Sequence, residues 1–130
     1  MPTTSLFTVP SIPRPPKRAA ADGGIVPLIL VALSLRECFV WRCNSGLFKT
    51  PTGRRVRAGF DGAPDVHGFC KRCGRAVYLE AKSATGVLNP DQKSFRRMAQ
   101  KHPVIYGVPR SVADAIRIIE EHRLFGECRP

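Results

Sequence analysis

The chain has 130 residues, with 21 Lys and Arg against 10 Asp and Glu, a net charge of +11 and 43% hydrophobic residues. That is enough apolar material for one domain, and the positive excess points to a polyanionic partner, because each neutralised phosphate releases counterions. Five scattered cysteines (Cys38, Cys43, Cys70, Cys73, Cys128) exclude a regular disulfide framework and fit a reducing cytoplasm.

Residues 1–22 hold five prolines and the Lys17-Arg18 pair and read as a flexible basic tail. A folded domain is expected over 23–124, with 125–130 a short C-terminal tail. The apolar run 25–35 is too short to span a bilayer and lacks a small-residue cleavage pattern. With Pro27 suited to a first helical turn, it predicts a buried helix reaching about Arg36. A strand follows over 38–43, with Trp41 read as a core residue. Asn44-Ser45-Gly46 breaks it, and Pro51-Thr52-Gly53 turns the chain into a basic strand at 54–57. A loop over 59–64 delivers Asp65 to a short strand at 66–69, where His67 reads as a polar edge residue. Residues 70–74 form a turn into the alternating segment 75–82. Asn89 and Pro90 mark the cap and first position of a helix to about Lys101. An apolar strand is expected at 103–108, and Ser111 caps a final helix with Val112, Ala115, Ile116 and Ile119 at helical spacing. The order α-β-β-β-β-α-β-α predicts an α/β fold with a mixed central sheet flanked by helices.

Alternation puts Val77, Leu79 and Ala81 on one face of the 75–82 strand and Tyr78, Glu80 and Lys82 on the other. A Glu-x-Lys alone describes an exposed surface pair. Here a hairpin would return Glu80 to Asp65, and Gln92, on the first turn of the next helix, would face the same end of the sheet. Two carboxylates beside an ammonium suit a divalent cation and a water near it, the equipment of a metal-dependent phosphodiesterase. Arg42, Asn44, Arg54, Arg55 and Arg57 precede the acids and are candidates to hold phosphates. Arg96, Arg97 and Lys101 read as a solvated helix face that also touches DNA.

Cys70-Lys71-Arg72-Cys73 has the spacing of half a zinc knuckle. The plainer reading is a hairpin turn with unliganded thiols. A structural Zn²⁺ would need two further ligands from Cys38, Cys43, His67, His102 or Cys128, and no second pair repeats the spacing.

Five blocks carry a family resemblance: Trp41-Arg42-Cys43-Asn44-Ser45-Gly46; Gly53-Arg54 with Val56-Arg57; Gly62-Ala63-Pro64-Asp65-Val66; Glu80-Ala81-Lys82; and Leu88-Asn89-Pro90-Asp91-Gln92. In order and spacing the stretch from about Gly24 to His122 resembles the VRR-NUC domain, a virus-type branch of the PD-(D/E)xK nuclease superfamily related to Holliday-junction resolvases. The resemblance implies a restriction-endonuclease-like core. It implies that Asp65, Glu80 and the backbone carbonyl of Ala81 bind Mg²⁺ or Mn²⁺, that Lys82 orients the attacking water, and that Gln92 lies at the site. The implied substrate is DNA, branched or flap, cut in repair, recombination or phage replication in a bacterial or phage-infected cell, and a homodimer would suit two cuts at a junction. The family's extra helix glutamate falls near Asp22 or Gly23, where Asp22 is the substitute; Glu37 lies at the wrong end of the helix. The alternative is a non-catalytic nucleic-acid-binding module stabilised by zinc.

Overall fold

The computed structural model describes residues 24–126, 128 and 129, so the expected tail 1–22, with Asp22, lies outside the described residues. In chain order the elements are α1 (Val26–Ser34), β1 (Cys38–Arg42), β2 (Gly46–Lys49), β3 (Arg55–Ala58), β4 (Val66–Cys70), β5 (Ala76–Leu79), α2 (Pro90–Ala99), β6 (Ile105–Gly107) and α3 (Val112–Phe125). Pro27 sits in the first turn of α1, and Val26, Ile29 and Leu33 form its buried stripe at i, i+3 and i+7. Each of those side chains stabilises the fold by about 1.5–3 kcal/mol.

A four-stranded sheet has the order β1-β4-β5-β6, antiparallel except for the parallel pair β5–β6. The mixed sheet expected from the element order is therefore present, and α2 is the crossover that makes the last pair parallel. One sheet face carries Cys38, Val66, Cys70, Val77, Leu79, Ala81 and Ile105, packed on α1 and on Ala115 and Ile119 of α3. The ladder aligns Trp41 with His67, His67 with Tyr78, and Tyr78 with Tyr106, so these side chains share the other face. There Phe95 of α2 covers Tyr78 and Tyr106 through ring contacts at 5.4 and 5.9 Å.

Four expectations need correction. The break after β1 contains a strand, β2, which pairs with β3 as a separate hairpin, so the basic strand is not part of the central sheet. Trp41 is 46% exposed rather than core. A helix about 10 Å wide cannot roof four strands spaced about 4.8 Å apart, and α2 sits over β5 and β6. His67 lies on β4, an inner strand, and is half-buried. Finally, Cys128, assigned to a C-terminal tail, packs against the core. Among the described residues no helix is long and apolar enough to cross a membrane.

Candidate functional site

The strands β4 and β5 part just beyond the Val66–Leu79 pair. Glu80 and Lys82 donate their backbone N–H groups to the carbonyls of Gly107 and Pro109, at 3.0 and 3.1 Å, extending the pairing towards β6. The N–H of Ala81 points the other way and donates to Asp65 Oδ2 at 3.0 Å. The Asp65 carboxylate thus takes the place of a ladder carbonyl, while its own backbone carbonyl accepts from Cys43 N–H at 2.7 Å. The residue that opens the sheet is also the residue placed at the site.

Glu80 and Lys82 are buried, 3% and 8% exposed, which excludes the exposed-pair reading of Glu-x-Lys. Lys82 Nζ lies 3.6 Å from Glu80 Oε1, and Gln92 Nε2 donates to the same oxygen at 2.7 Å. Gln92 is held by a capping box: Asn89 Oδ1 accepts from Gln92 N–H, and Gln92 Oε1 accepts from Asn89 N–H, both at 2.9 Å. One side chain therefore caps α2 and fixes Glu80. Glu80 Oε2 is buried with no hydrogen-bond partner. Burial first, then the Asp65 charge, push Glu80 up to about 8 against the pull of Lys82. A buried carboxyl with an orphaned oxygen beside a second carboxylate is a place where a cation would remove an electrostatic cost. The nearby Tyr106 phenol is raised by burial and then by Glu80.

The sequence candidates Asp65, Glu80, Lys82 and Gln92 are thus brought together, with Ala81 binding Asp65 through its N–H. The loop before Asp65 is locked to α2. Gly62 has a φ of +83°, and a Cβ there would lie 2.5 Å from the backbone of Asp91, so only glycine fits the approach. Phe60 of the same loop stacks on Phe95 at 5.9 Å. The loop after Lys82 is pinned by Arg110, which sequence reasoning did not single out; it donates to the carbonyls of Ser83 and Gly86 at 2.6 Å each.

The arginines lie outside this constellation. Arg42 is exposed and donates to Asn44 Oδ1 at 3.0 Å. Arg54, Arg55 and Arg57 are exposed at the β2–β3 hairpin, with Arg57 paired to Asp61. That hairpin is an excursion whose two stems meet at the Cys43–Asp65 hydrogen bond, which sets it on the rim of the acid cluster. On α2, Arg96 is half-buried, and Arg97 is exposed and donates to Ser94 Oγ at 2.9 Å. Next to His67 the open sheet face carries Phe39, Trp41 and Phe69, all exposed, with centroid separations of 5.9 Å (Phe39–Trp41) and 5.5 Å (Phe39–Phe69). A pocket of about 460 Å³ between α2 and this face is lined by His67, Tyr78, Phe95 and Met98 among others, and by no carboxylate.

A second cluster occupies the far end of the β4–β5 hairpin. Cys70, Cys73, His122 and Cys128 bring one ligand atom each to within 4.8 Å of one another, an arrangement that could bind a metal. Of the partners considered for the Cys70–Cys73 pair, only Cys128 belongs to it. Cys38, Cys43, His67 and His102 do not, and His122 was missed. The signal was there as His122 and Cys128 six residues apart, a different spacing from the Cys-x-x-Cys being sought. Cys38 sits opposite Cys70 in the ladder, and burial, then Cys70, push its thiol up to about 11. Glu37 lies away from the Asp65–Glu80 cluster: it pairs with Arg123 at 2.7 Å and its carbonyl accepts from Lys71 N–H, at the same end as the cysteines. Compared with protein-family models, with curated proteins and with solved structures, the chain matches none.

Proposed function

We propose that this protein is a Mg²⁺- or Mn²⁺-dependent DNA nuclease of the VRR-NUC type, hydrolysing phosphodiester bonds at the Asp65–Glu80–Lys82 cluster. The observation that carries the reading is the buried, unpartnered Glu80 Oε2 beside Asp65 and Lys82. The oxygen donors Asp65 and Glu80 fit a hard divalent cation, which when bound would polarise a phosphoryl oxygen and lower the pKa of a coordinated water. The mixed sheet, with three antiparallel strands joined through α2 to a parallel fourth, is compatible with a restriction-endonuclease-like core.

The protein's own groups divide the work. Gln92 holds Glu80 Oε1 and so leaves Oε2 as the free ligand atom. The Ala81 N–H fixes the Asp65 carboxylate. Lys82, on the Glu80 face, supplies the positive charge that stabilises the phosphorane and orients the attacking water. Hydrolysis adds that water across one P–O bond, leaving a phosphate monoester and a hydroxyl. On the rim, Lys49 and Arg55 stand directly opposite each other across the β2–β3 hairpin. Like charges at such positions destabilise a strand pair, and a phosphate would relieve the repulsion. The exposed Phe39–Trp41–Phe69 row offers flat faces for unpaired bases, which favours flap or otherwise single-stranded DNA near the cut.

The test is cleavage of flap, branched, single-stranded and linear DNA with added Mg²⁺ or Mn²⁺. Metal-dependent cleavage is expected, strongest on substrates with unpaired bases, and lost in Glu80→Gln and Lys82→Met while DNA binding survives. Unchanged activity in both variants would show the site to be wrong. Binding without cleavage in either metal would identify a non-catalytic nucleic-acid-binding module instead.

A further inference from the structure

We propose that Cys70, Cys73, His122 and Cys128 bind one structural Zn²⁺, which closes the C-terminal end of the chain onto the β4–β5 hairpin. This inference is independent of the nuclease reading. Cys70 Sγ and Cys128 Sγ are 3.7 Å apart, and Cys73 Sγ lies 3.3 Å from His122 Nε2. A tetrahedral ion with Zn–S of about 2.3 Å and Zn–N of about 2.0 Å spaces its sulfurs about 3.8 Å apart and a sulfur and nitrogen about 3.5 Å apart. The separations fit that polyhedron. A Cys70–Cys128 disulfide would require about 2.05 Å and is not what the thiols form.

Local structure explains how four ligands from three places converge. Cys70 ends β4, and the turn to Cys73 is closed by Gly74 N–H donating to the Cys70 carbonyl at 2.8 Å. Backbone N–H groups of Cys73 and Arg72 also point at the Cys70 sulfur. Amides directed at a thiolate in this way are the outer support that a metal-bound sulfur needs. His122 comes from the last turns of α3. Beyond the helix the chain must pass close to the imidazole. A Cβ at Gly126 would lie 2.6 Å from the His122 carbonyl oxygen and 2.8 Å from Nδ1, so glycine there permits the return of Cys128 to Cys70.

The donor set is soft, three thiolates and one imidazole, which selects Zn²⁺ over Mg²⁺. All four positions are filled by protein, so the ion would be structural rather than catalytic. Its three thiolates leave a net charge of −1 on the centre, in a neighbourhood that holds Arg75 and Arg123.

The experiment is elemental analysis of the full chain purified without added metal, followed by replacement of the bound ion with Co²⁺. One zinc per chain is expected. The Co²⁺ protein should show intense tetrahedral bands in the visible and a thiolate-to-cobalt charge-transfer band. Cys128→Ser, a substitution outside the helices and strands, should weaken Co²⁺ binding by more than about 100-fold, since even loss of an outer-shell partner costs about 10–100-fold. Cys38→Ser should leave the spectrum unchanged. Absence of zinc, with no spectrum on adding Co²⁺ to the reduced wild-type chain, would overturn the proposal. So would a Cys128→Ser spectrum identical to that of the parent. Because the wild-type titration stands alone, an unfolded variant would not rescue the idea.

Discussion

The two ends of the β4–β5 hairpin hold the two groups of ionisable side chains, about 15 Å apart by strand rise, and they differ in kind. At the Cys70 end three sulfurs and a nitrogen face one another at ligand spacing, with no donor left over. At the Asp65 end two carboxylates and an ammonium are packed together, and one carboxylate oxygen is left without a partner. The first arrangement is closed and self-sufficient; the second is electrostatically incomplete. Under the nuclease and zinc proposals, one hairpin is braced at one end and reactive at the other, and the cost of a buried, unsatisfied carboxyl is borne by the packing of the strands on the α1–α3 core.

The largest effect should come from separating the two ends by mutation. Glu80→Gln keeps the shape and the Gln92 contact region but removes the charge. Cleavage should fall by about 100-fold or more, the usual cost of deleting a preorganised charge-stabilising group. At pH 6, where native Glu80 still keeps its proton, its melting temperature should stay at the parental value, and its zinc content should match the parent's. Cys73→Ser should do the reverse, lowering zinc content and melting temperature while any protein that remains folded still cleaves. Nuclease rates, thermal melts and metal analysis on the same preparations decide it. If Glu80→Gln loses zinc, or Cys73→Ser loses only activity, the division of labour is wrong.

The pH dependence sharpens the same contrast. Glu80 is pushed up to about 8 from 4.5. Between those values the native chain keeps a proton that the unfolded chain has released, so stability falls as pH rises across the window and levels off above about 8. Without added Mg²⁺, the parent should melt at a lower temperature at pH 8 than at pH 6, and Glu80→Gln should flatten that slope. Added Mg²⁺ should stabilise the parent more at pH 8 than at pH 6, because binding then displaces less proton. Equal slopes in parent and Glu80→Gln would assign the effect to another group.

A smaller effect is expected from the open sheet face. Trp41→Ala should weaken binding of single-stranded or flap DNA by about 1–3 kcal/mol, the worth of one base stack, with duplex binding changed less. Because about half of Trp41 is covered and its ring meets Phe39 edge-on, thermal stability should also fall, by about 1–2 kcal/mol. Fluorescence anisotropy on both kinds of DNA would show it; equal losses on both would remove the stacking role.

What could be read in the sequence was whatever rests on local chemistry. Pro27 and Asn89-Pro90 announce helix starts by backbone geometry alone, and the alternation of Val77, Leu79 and Ala81 with Glu80 and Lys82 fixes the faces of a strand. The meeting of Asp65, Glu80, Lys82 and Gln92 followed from one hairpin and one cap. Features set by tertiary packing were not legible. Trp41 looks like core by residue type, and only the narrowness of α2 leaves it exposed. The strand β2 hides in a run broken by Gly46, because its partner β3 rather than its own pattern makes it extended. His122 belongs to the cysteine cluster only because α3 packs back across β6 and Gly126 turns the chain.

The smallest effect, and the one that best tests where DNA lies, concerns the basic hairpin. Arg54 and Arg55 are exposed, and Arg55 faces Lys49 across the hairpin, whereas Arg57 is already paired with Asp61. A residue that neutralises one phosphate contributes a slope of about 0.9 to the dependence of log K on log salt for duplex DNA. Arg55→Ala should therefore reduce the slope by about that amount, with the same loss of affinity on every sequence. Arg57→Ala should reduce it less, since an arginine engaged with Asp61 has exchanged part of its counterion atmosphere before DNA arrives. If the two substitutions change the slope equally, the Arg57–Asp61 pair does not persist in solution. If neither changes it, DNA approaches Glu80 from the α2 side, past Arg96 and Arg97, and the hairpin is not the rim that guides it.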